Sequence, residues 1–116
     1  PCALGGIITE QTATEIRARA VAGAANNQLA SAAAGVALAE REILYAPDFV
    51  INAGGIISAL EECLSVPGRS GHVDKPLPAR LAGIEERLAE IFERSARDGQ
   101  TPEVTAERLA RELIGR

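Results

Sequence analysis

Ala46-Pro47-Asp48-Phe49-Val50-Ile51-Asn52-Ala53-Gly54-Gly55 decides the reading of this chain. It reads as a turn, a short buried strand, and then a polar residue and two glycines where a helix begins. Val50 and Ile51 are apolar and β-branched, which suits a strand covered on both faces. Asn52 falls where that strand runs out. Gly54 and Gly55 carry no Cβ, so another molecule can approach the backbone closely there. Ligands of open α/β sheets sit at the carboxyl ends of strands, which makes this stretch a candidate site. An ordinary strand-to-helix turn, with glycines serving local geometry alone, accounts for the same residues.

Upstream of this stretch, strands and helices alternate. Pro1 to Gly6 is small, apolar and glycine-rich, like the end of a strand and its following loop. Thr12-Ala13-Thr14-Glu15 has capping-box spacing and predicts a short helix over 13–17. Ala20-Val21-Ala22-Gly23 reads as a buried strand, with Asn26-Asn27 at its carboxyl end. A helix over 28–41 places Leu29, Ala32, Ala33, Val36 and Ala37 on one face. Gly35 inside it costs about 1 kcal/mol relative to alanine. Glu42 stands where a left-handed C′ residue is expected, at a cost of about 1 kcal/mol. Ile43-Leu44-Tyr45 is a third apolar run, feeding around Pro47 into Val50-Ile51. The pattern is βαβ, and about three short parallel strands are readable.

Downstream, a helix over 55–64 has Ile56, Ala59, Leu60 and Cys63 at helical spacing. Residues 65–78 read as a linker, rich in proline and glycine and holding His72 and Lys75. His72 reads as an exposed side chain, with no second zinc-ligand type at the right spacing. A strong amphipathic helix over 79–97 carries Leu81, Ile84, Leu88, Ile91 and Phe92 in one stripe, and Asp98-Gly99 stops it. Thr101-Pro102 starts a last helix, with proline at its first position. Its expected buried side is Val104, Leu109, Ala110, Leu113 and Ile114.

The 116 residues leave room for one domain or part of one. Apolar residues make up 47% and charged residues 24%, which fits a soluble globular protein. The apolar share is alanine-rich and aromatic-poor, so the core buries little area per residue and modest stability is expected. With a net charge of −4 and no basic cluster, nucleic-acid binding is not indicated. No apolar run approaches the length of a membrane span. Cys2 and Cys63 make neither metal-ligand nor redox spacing and read as small reduced residues, for which a cytoplasmic location is the default.

Three segments, in this order, resemble the NAD-dependent amino-acid dehydrogenases of the glutamate/leucine/phenylalanine/valine family. They are Pro1-Cys2-Ala3-Leu4-Gly5-Gly6, Ala22-Gly23-Ala24-Ala25-Asn26-Asn27-Gln28-Leu29 and Tyr45-Ala46-Pro47-Asp48-Phe49-Val50-Ile51-Asn52-Ala53-Gly54-Gly55. The separation of Asn27 from Asn52 is also similar to the family's. The leucine, phenylalanine and valine branch is the closest. The second half resembles the family in pattern and place more than in identity. The sequence departs from the family at Glu42, usually glycine, and in a longer linker.

The resemblance implies an α/β fold, a partial Rossmann-like parallel sheet followed by two or three C-terminal amphipathic helices. Residues 1–64 would be the second half of a dinucleotide-binding domain, 65–78 the linker, and 79–116 a helical pair packing on the same domain or another one. No G-x-G-x-x-G follows a strand, and no acidic residue is placed to hold a ribose. The resemblance puts that half upstream, so a chain opening at Pro1 reads as a piece of a longer protein.

The piece would then supply the nicotinamide side of a site that binds NAD. Cys2 and Ala3 are implied to lie along the cofactor through backbone groups. Asn27, with Asn26 as second choice, is implied at the reaction centre, toward the nicotinamide or the substrate carboxylate. Asn52 is implied to bond the nicotinamide carboxamide. An amide suits this, being donor and acceptor without charge. Ile56 and Ala59, with Asn27, match the family's substrate pocket. Read from the residues alone, all three asparagines are also good turn and cap residues.

The implied reaction is oxidative deamination of an apolar L-amino acid to a 2-oxo acid and ammonia. The family's catalytic lysine and aspartate belong to segments this chain does not have, and Lys75 matches neither. The chain alone is expected to be inactive and the intact protein to be a homo-oligomer, without nucleic-acid, membrane or metal partners. The alternative reading is a non-catalytic α/β binding or interaction module that keeps the half-Rossmann fold.

Overall fold

The computed structural model describes residues 4–65 and 75–115. The elements are α1 (Glu10–Glu15), β1 (Ala20–Val21), α2 (Ala32–Glu40), β2 (Leu44–Tyr45), α3 (Asp48–Ile51), α4 (Gly54–Leu64), α5 (Leu77–Asp98) and α6 (Pro102–Leu113). Cys2, Ala3 and His72 lie outside the described residues, as does most of the expected linker. The expected helix over 79–97 begins two residues early, at Leu77.

β1 and β2 pair in parallel, Ala20 with Leu44 and Val21 with Tyr45. α2 makes the crossover between them, so the βαβ unit expected from the alternation is present. A further parallel bridge joins Ile8 to Leu29, closed by the Ile8 N–H to the Gln28 carbonyl at 2.9 Å. The chain is thus an α/β unit with a short two-stranded parallel sheet among its described residues.

Val50-Ile51 is not a strand; it lies in the four-residue helix α3. Pro47 is the N-cap, and the Asn52 N–H reaches back to the Asp48 carbonyl at 2.9 Å. Val50 packs on Ile91, Ala106 and Leu109. That tertiary contact outweighs the β-propensity of two branched residues. α1 also differs from expectation: it starts one turn earlier, at Glu10. Its box is formed by Thr9 and Thr12, each backbone N–H bonding the other's hydroxyl, at 2.8 and 3.1 Å. This register puts Ala13 inside the helix and fully buries it in the main core.

That core is Ile8, Ala13, Val21, Ala34, Leu38, Ile43 and Tyr45. α2 turns Ala34, Gly35 and Leu38 inward, while Val36 is 46% exposed. The inward face is therefore two residues away from the expected stripe, nearly the opposite side of the helix, and of that stripe within α2 only Ala37 packs against the core. Alanines on every side of this helix erase the contrast from which phase is read. A second core forms where α5 and α6 pack, around Ile91, Ala106 and Leu109. α6 buries Thr105, Ala106 and Leu109, whereas Val104, Leu113 and Ile114 of the expected side are exposed. Small residues at the contact let the helix approach closely. Glu42 is left-handed at φ +56°, and Gly99 ends α5 at φ +63°, both as the turn chemistry requires.

Candidate functional site

The loop after β1 is built from the inside out. Gln28 is fully buried, and its amide donates to the carbonyls of Gly23 and Ala25, both at 2.8 Å. The loop is therefore closed on itself. Asn27 follows in the left-handed region, φ +51°, which asparagine tolerates better than most residues. Its backbone N–H donates to Asp48 Oδ2 at 2.7 Å. The other oxygen, Oδ1, accepts the Tyr45 hydroxyl at 2.6 Å. Asp48 and Tyr45 are both buried. Burial, reinforced by the adjacent Asp48 carboxylate, pushes the Tyr45 phenol well above its usual range.

Asn52 follows α3 and turns back to the same loop. Its side-chain amide donates to the Ala25 carbonyl and to Asn26 Oδ1, both at 3.3 Å. Beneath the loop runs the first described segment. The Gly6 N–H donates to the Asn27 carbonyl at 2.7 Å. A Cβ on Gly5 would stand 3.0 and 3.1 Å from the Asn27 and Asn26 carbonyl oxygens. Glycine is what lets the two segments lie this close. Three stretches far apart in sequence thus meet at the carboxyl ends of β1 and β2.

The rim they form is neutral. Asn26 and Asn27 are exposed and Asn52 is half-buried. The Asp48 charge is turned inward and holds two donors. Among the described residues the Asn27 side chain makes no hydrogen bond, so its donor and acceptor face outward unspent. Such a set fits the carboxamide of a nicotinamide, which needs one partner of each kind. Gly55, at the start of α4, has open space where a side chain would be.

Ile56 and Ala59 share the outer face of α4 and both are exposed, Ile56 by 77%. Neither lines the cavities described among these residues. A separate apolar cavity of 510 Å³ lies on the opposite side of α4, between Val50, Ile57, Ile84 and Leu109. None of the expected site residues lines it. Among the described residues no cluster of three His, Cys, Asp or Glu side chains forms a metal site, and no helix is long and apolar enough to cross a membrane. Asp48, Tyr45 and Gln28 are the side chains holding this rim that sequence reasoning did not single out. The one available signal was the position of Tyr45 and Asp48 around Pro47, polar groups within an otherwise apolar run.

Residues 1–111 match the Glutamate/Leucine/Phenylalanine/Valine dehydrogenase family, and the chain belongs to it. Leucine dehydrogenase of Thermoactinomyces intermedius is 40% identical over 114 residues, 98% of this chain and 30% of the relative. Valine dehydrogenase of Streptomyces albus is 41% identical over 114 residues, with the same coverage. In solved structures, L-tryptophan dehydrogenase from Nostoc punctiforme superposes with a TM-score of 0.85 at 39% identity. That match covers 99% of this chain and 33% of that one. The chain therefore spans about 30% of the length of the curated relatives it matches. Those relatives are amino-acid dehydrogenases, an oxidoreductase class.

Proposed function

We propose that this chain supplies the nicotinamide side of the active site of an NAD-dependent dehydrogenase acting on an apolar L-amino acid. The observation that carries the proposal is the gathering of Asn26, Asn27 and Asn52 on one neutral rim, with Asn52 and Asn26 in side-chain contact at 3.3 Å. When bound, NAD supplies the hydride acceptor. The chain's own residues bind and orient. Asn52 holds the carboxamide, and Asn27, with Asn26 beside it, meets the reaction centre or the substrate carboxylate. Cys2 and Ala3 contribute backbone contacts along the cofactor. A neutral rim leaves hydride transfer undisturbed by fixed charge.

Ile56 and Ala59 form the apolar wall of the substrate pocket, which another part of the protein completes. A charged substrate end would find no partner against them. The substrate loses hydride from its α-carbon, and the resulting imine is hydrolysed to a 2-oxo acid and ammonia. The general base, a lysine aided by an aspartate, comes from outside this chain. Lys75 stands exposed ahead of α5 and does not serve. In this reading residues 1–64 belong to the cofactor domain, 79–116 pack on it, and the intact cytoplasmic enzyme is a homo-oligomer.

The test is to purify the native gene product and assay apolar L-amino acids and L-glutamate with NAD and NADP. Turnover of leucine, valine or phenylalanine with NAD supports the reading, and no turnover by the 116-residue chain completes it. A preference for glutamate, or activity of this chain alone, contradicts it.

A further inference from the structure

We propose that Asp48 is the positioning residue of the amide rim: it fixes the Asn27 peptide in its left-handed conformation and opens the helix that leads to Asn52. The proposal rests on the reading of Asn27 and Asn52 given above and adds to it the group that sets their geometry. Asp48 is only 6% exposed. A buried carboxylate persists where short, charge-assisted donors satisfy it. Here each oxygen has one, the Tyr45 hydroxyl at 2.6 Å and the Asn27 N–H at 2.7 Å.

The Asn27 bond spans two segments distant in sequence and holds a backbone conformation that few residues adopt unaided. The Asp48 carbonyl meanwhile accepts the Asn52 N–H at 2.9 Å, which closes the turn of α3. One residue therefore holds both amide-bearing segments, by its side chain and by its backbone. Its charge is spent beneath the rim, so it acts on the ligand only through Asn27 and Asn52. Tyr45 supports Asp48 from the β2 side and does not touch Asn27 through any hydrogen bond among the described residues.

Asp48→Asn is the informative variant. The amide loses the charge and one acceptor: with its Nδ2 turned to the Tyr45 hydroxyl oxygen, its oxygen still accepts the Asn27 N–H, but as a weaker neutral bond. In the 116-residue chain, amide hydrogen exchange at Asn27 should accelerate by about tenfold, while exchange at Ala34 and Leu38 stays as it was. In the native gene product, Asp48→Asn should lower kcat/KM by about tenfold. Asn27→Gly keeps the left-handed backbone and removes the amide, so it tests the site reading alone. If Asp48 acts through Asn27, the effect of Asp48→Asn nearly vanishes in the Asn27→Gly background. Should Asp48→Asn not fold, Asp48→Glu keeps the charge but moves the acceptors, and the same comparison of backgrounds applies. Unchanged Asn27 exchange, or an equal kinetic loss in both backgrounds, overturns the proposal. Unchanged kinetics for Asn27→Gly alone overturns the site reading instead, and the two failures are thereby told apart.

Discussion

The carboxyl of Glu103, in the first turn of α6, fills the space where a side chain at Gly35 of α2 would begin. Its Oε2 is sealed from solvent and has no hydrogen-bond partner among the described residues. Burial first, then the nearby Glu107 and Asp48 carboxylates, raise its pKa from 4.5 to about 7. Gly35 is thus a docking point between two helices, which explains a glycine inside α2 better than helix propensity does.

This pair makes stability depend on pH. Between the two pKa values the folded chain keeps a proton that the unfolded chain has released, so stability falls as pH rises. The contribution is fully present below the unfolded value of 4.5 and is lost as pH passes about 7. Glu103 is partly solvated, so the loss is about 1–2 kcal/mol, less than the full shift implies. Urea denaturation at about pH 5 and about pH 8 measures it. Glu103→Gln should flatten this slope; an unaltered slope would contradict the assignment.

Gly35→Ala should reach the same end from the other helix. The group in the way is the tip of a flexible side chain, so Glu103 swings out to water and regains ordinary titration. Helix propensity adds about 1 kcal/mol. We expect equal or higher stability at about pH 8 and a weaker pH slope. A loss above about 1 kcal/mol would mean that the carboxyl cannot move.

Tyr45 is the chain's single tyrosine, and there is no tryptophan. Alkaline absorbance titration therefore reads one group. With its pKa raised by burial and by Asp48, the phenol should stay protonated at pH about 10, where a free phenol is half ionised. Its stabilising contribution is full below that pH and is lost as pH rises further, so phenolate appears with unfolding. Tyr45→Phe should cost about 1–3 kcal/mol, because Asp48 keeps its burial and loses a donor. Ordinary titration of the folded chain near pH 10 would contradict this geometry.

Leu38→Ala should cost about 2–5 kcal/mol, as the fully buried leucine of the main core. Val36→Ala, half exposed on the same helix, should cost under about 1 kcal/mol. Thermal unfolding of both variants checks the phase of α2 directly.

Much of this was legible in the residues, because local chemistry sets it. Asp98-Gly99 and Thr101-Pro102 mark the end of α5 and the start of α6, and Glu42 takes the left-handed position expected of it. What escaped depends on distant neighbours. Val50-Ile51 reads as a strand until Ile91 and Leu109 are packed on Val50. The alanines of α2 conceal which face turns inward. At the site, the three asparagines come together along a rim, but Asp48 showed itself only as a polar group within an apolar run. An acid beginning a helix is ordinary cap chemistry, and only the fold brings the Asn27 N–H to it.

The most direct test of the nicotinamide-side assignment is the dinucleotide KM of Asn52→Ala in the native gene product, measured at saturating amino acid. The account predicts a rise of about tenfold with little change in Tm, since the variant gives up two long hydrogen bonds at the rim and the contact to the cofactor. An unchanged KM would contradict it.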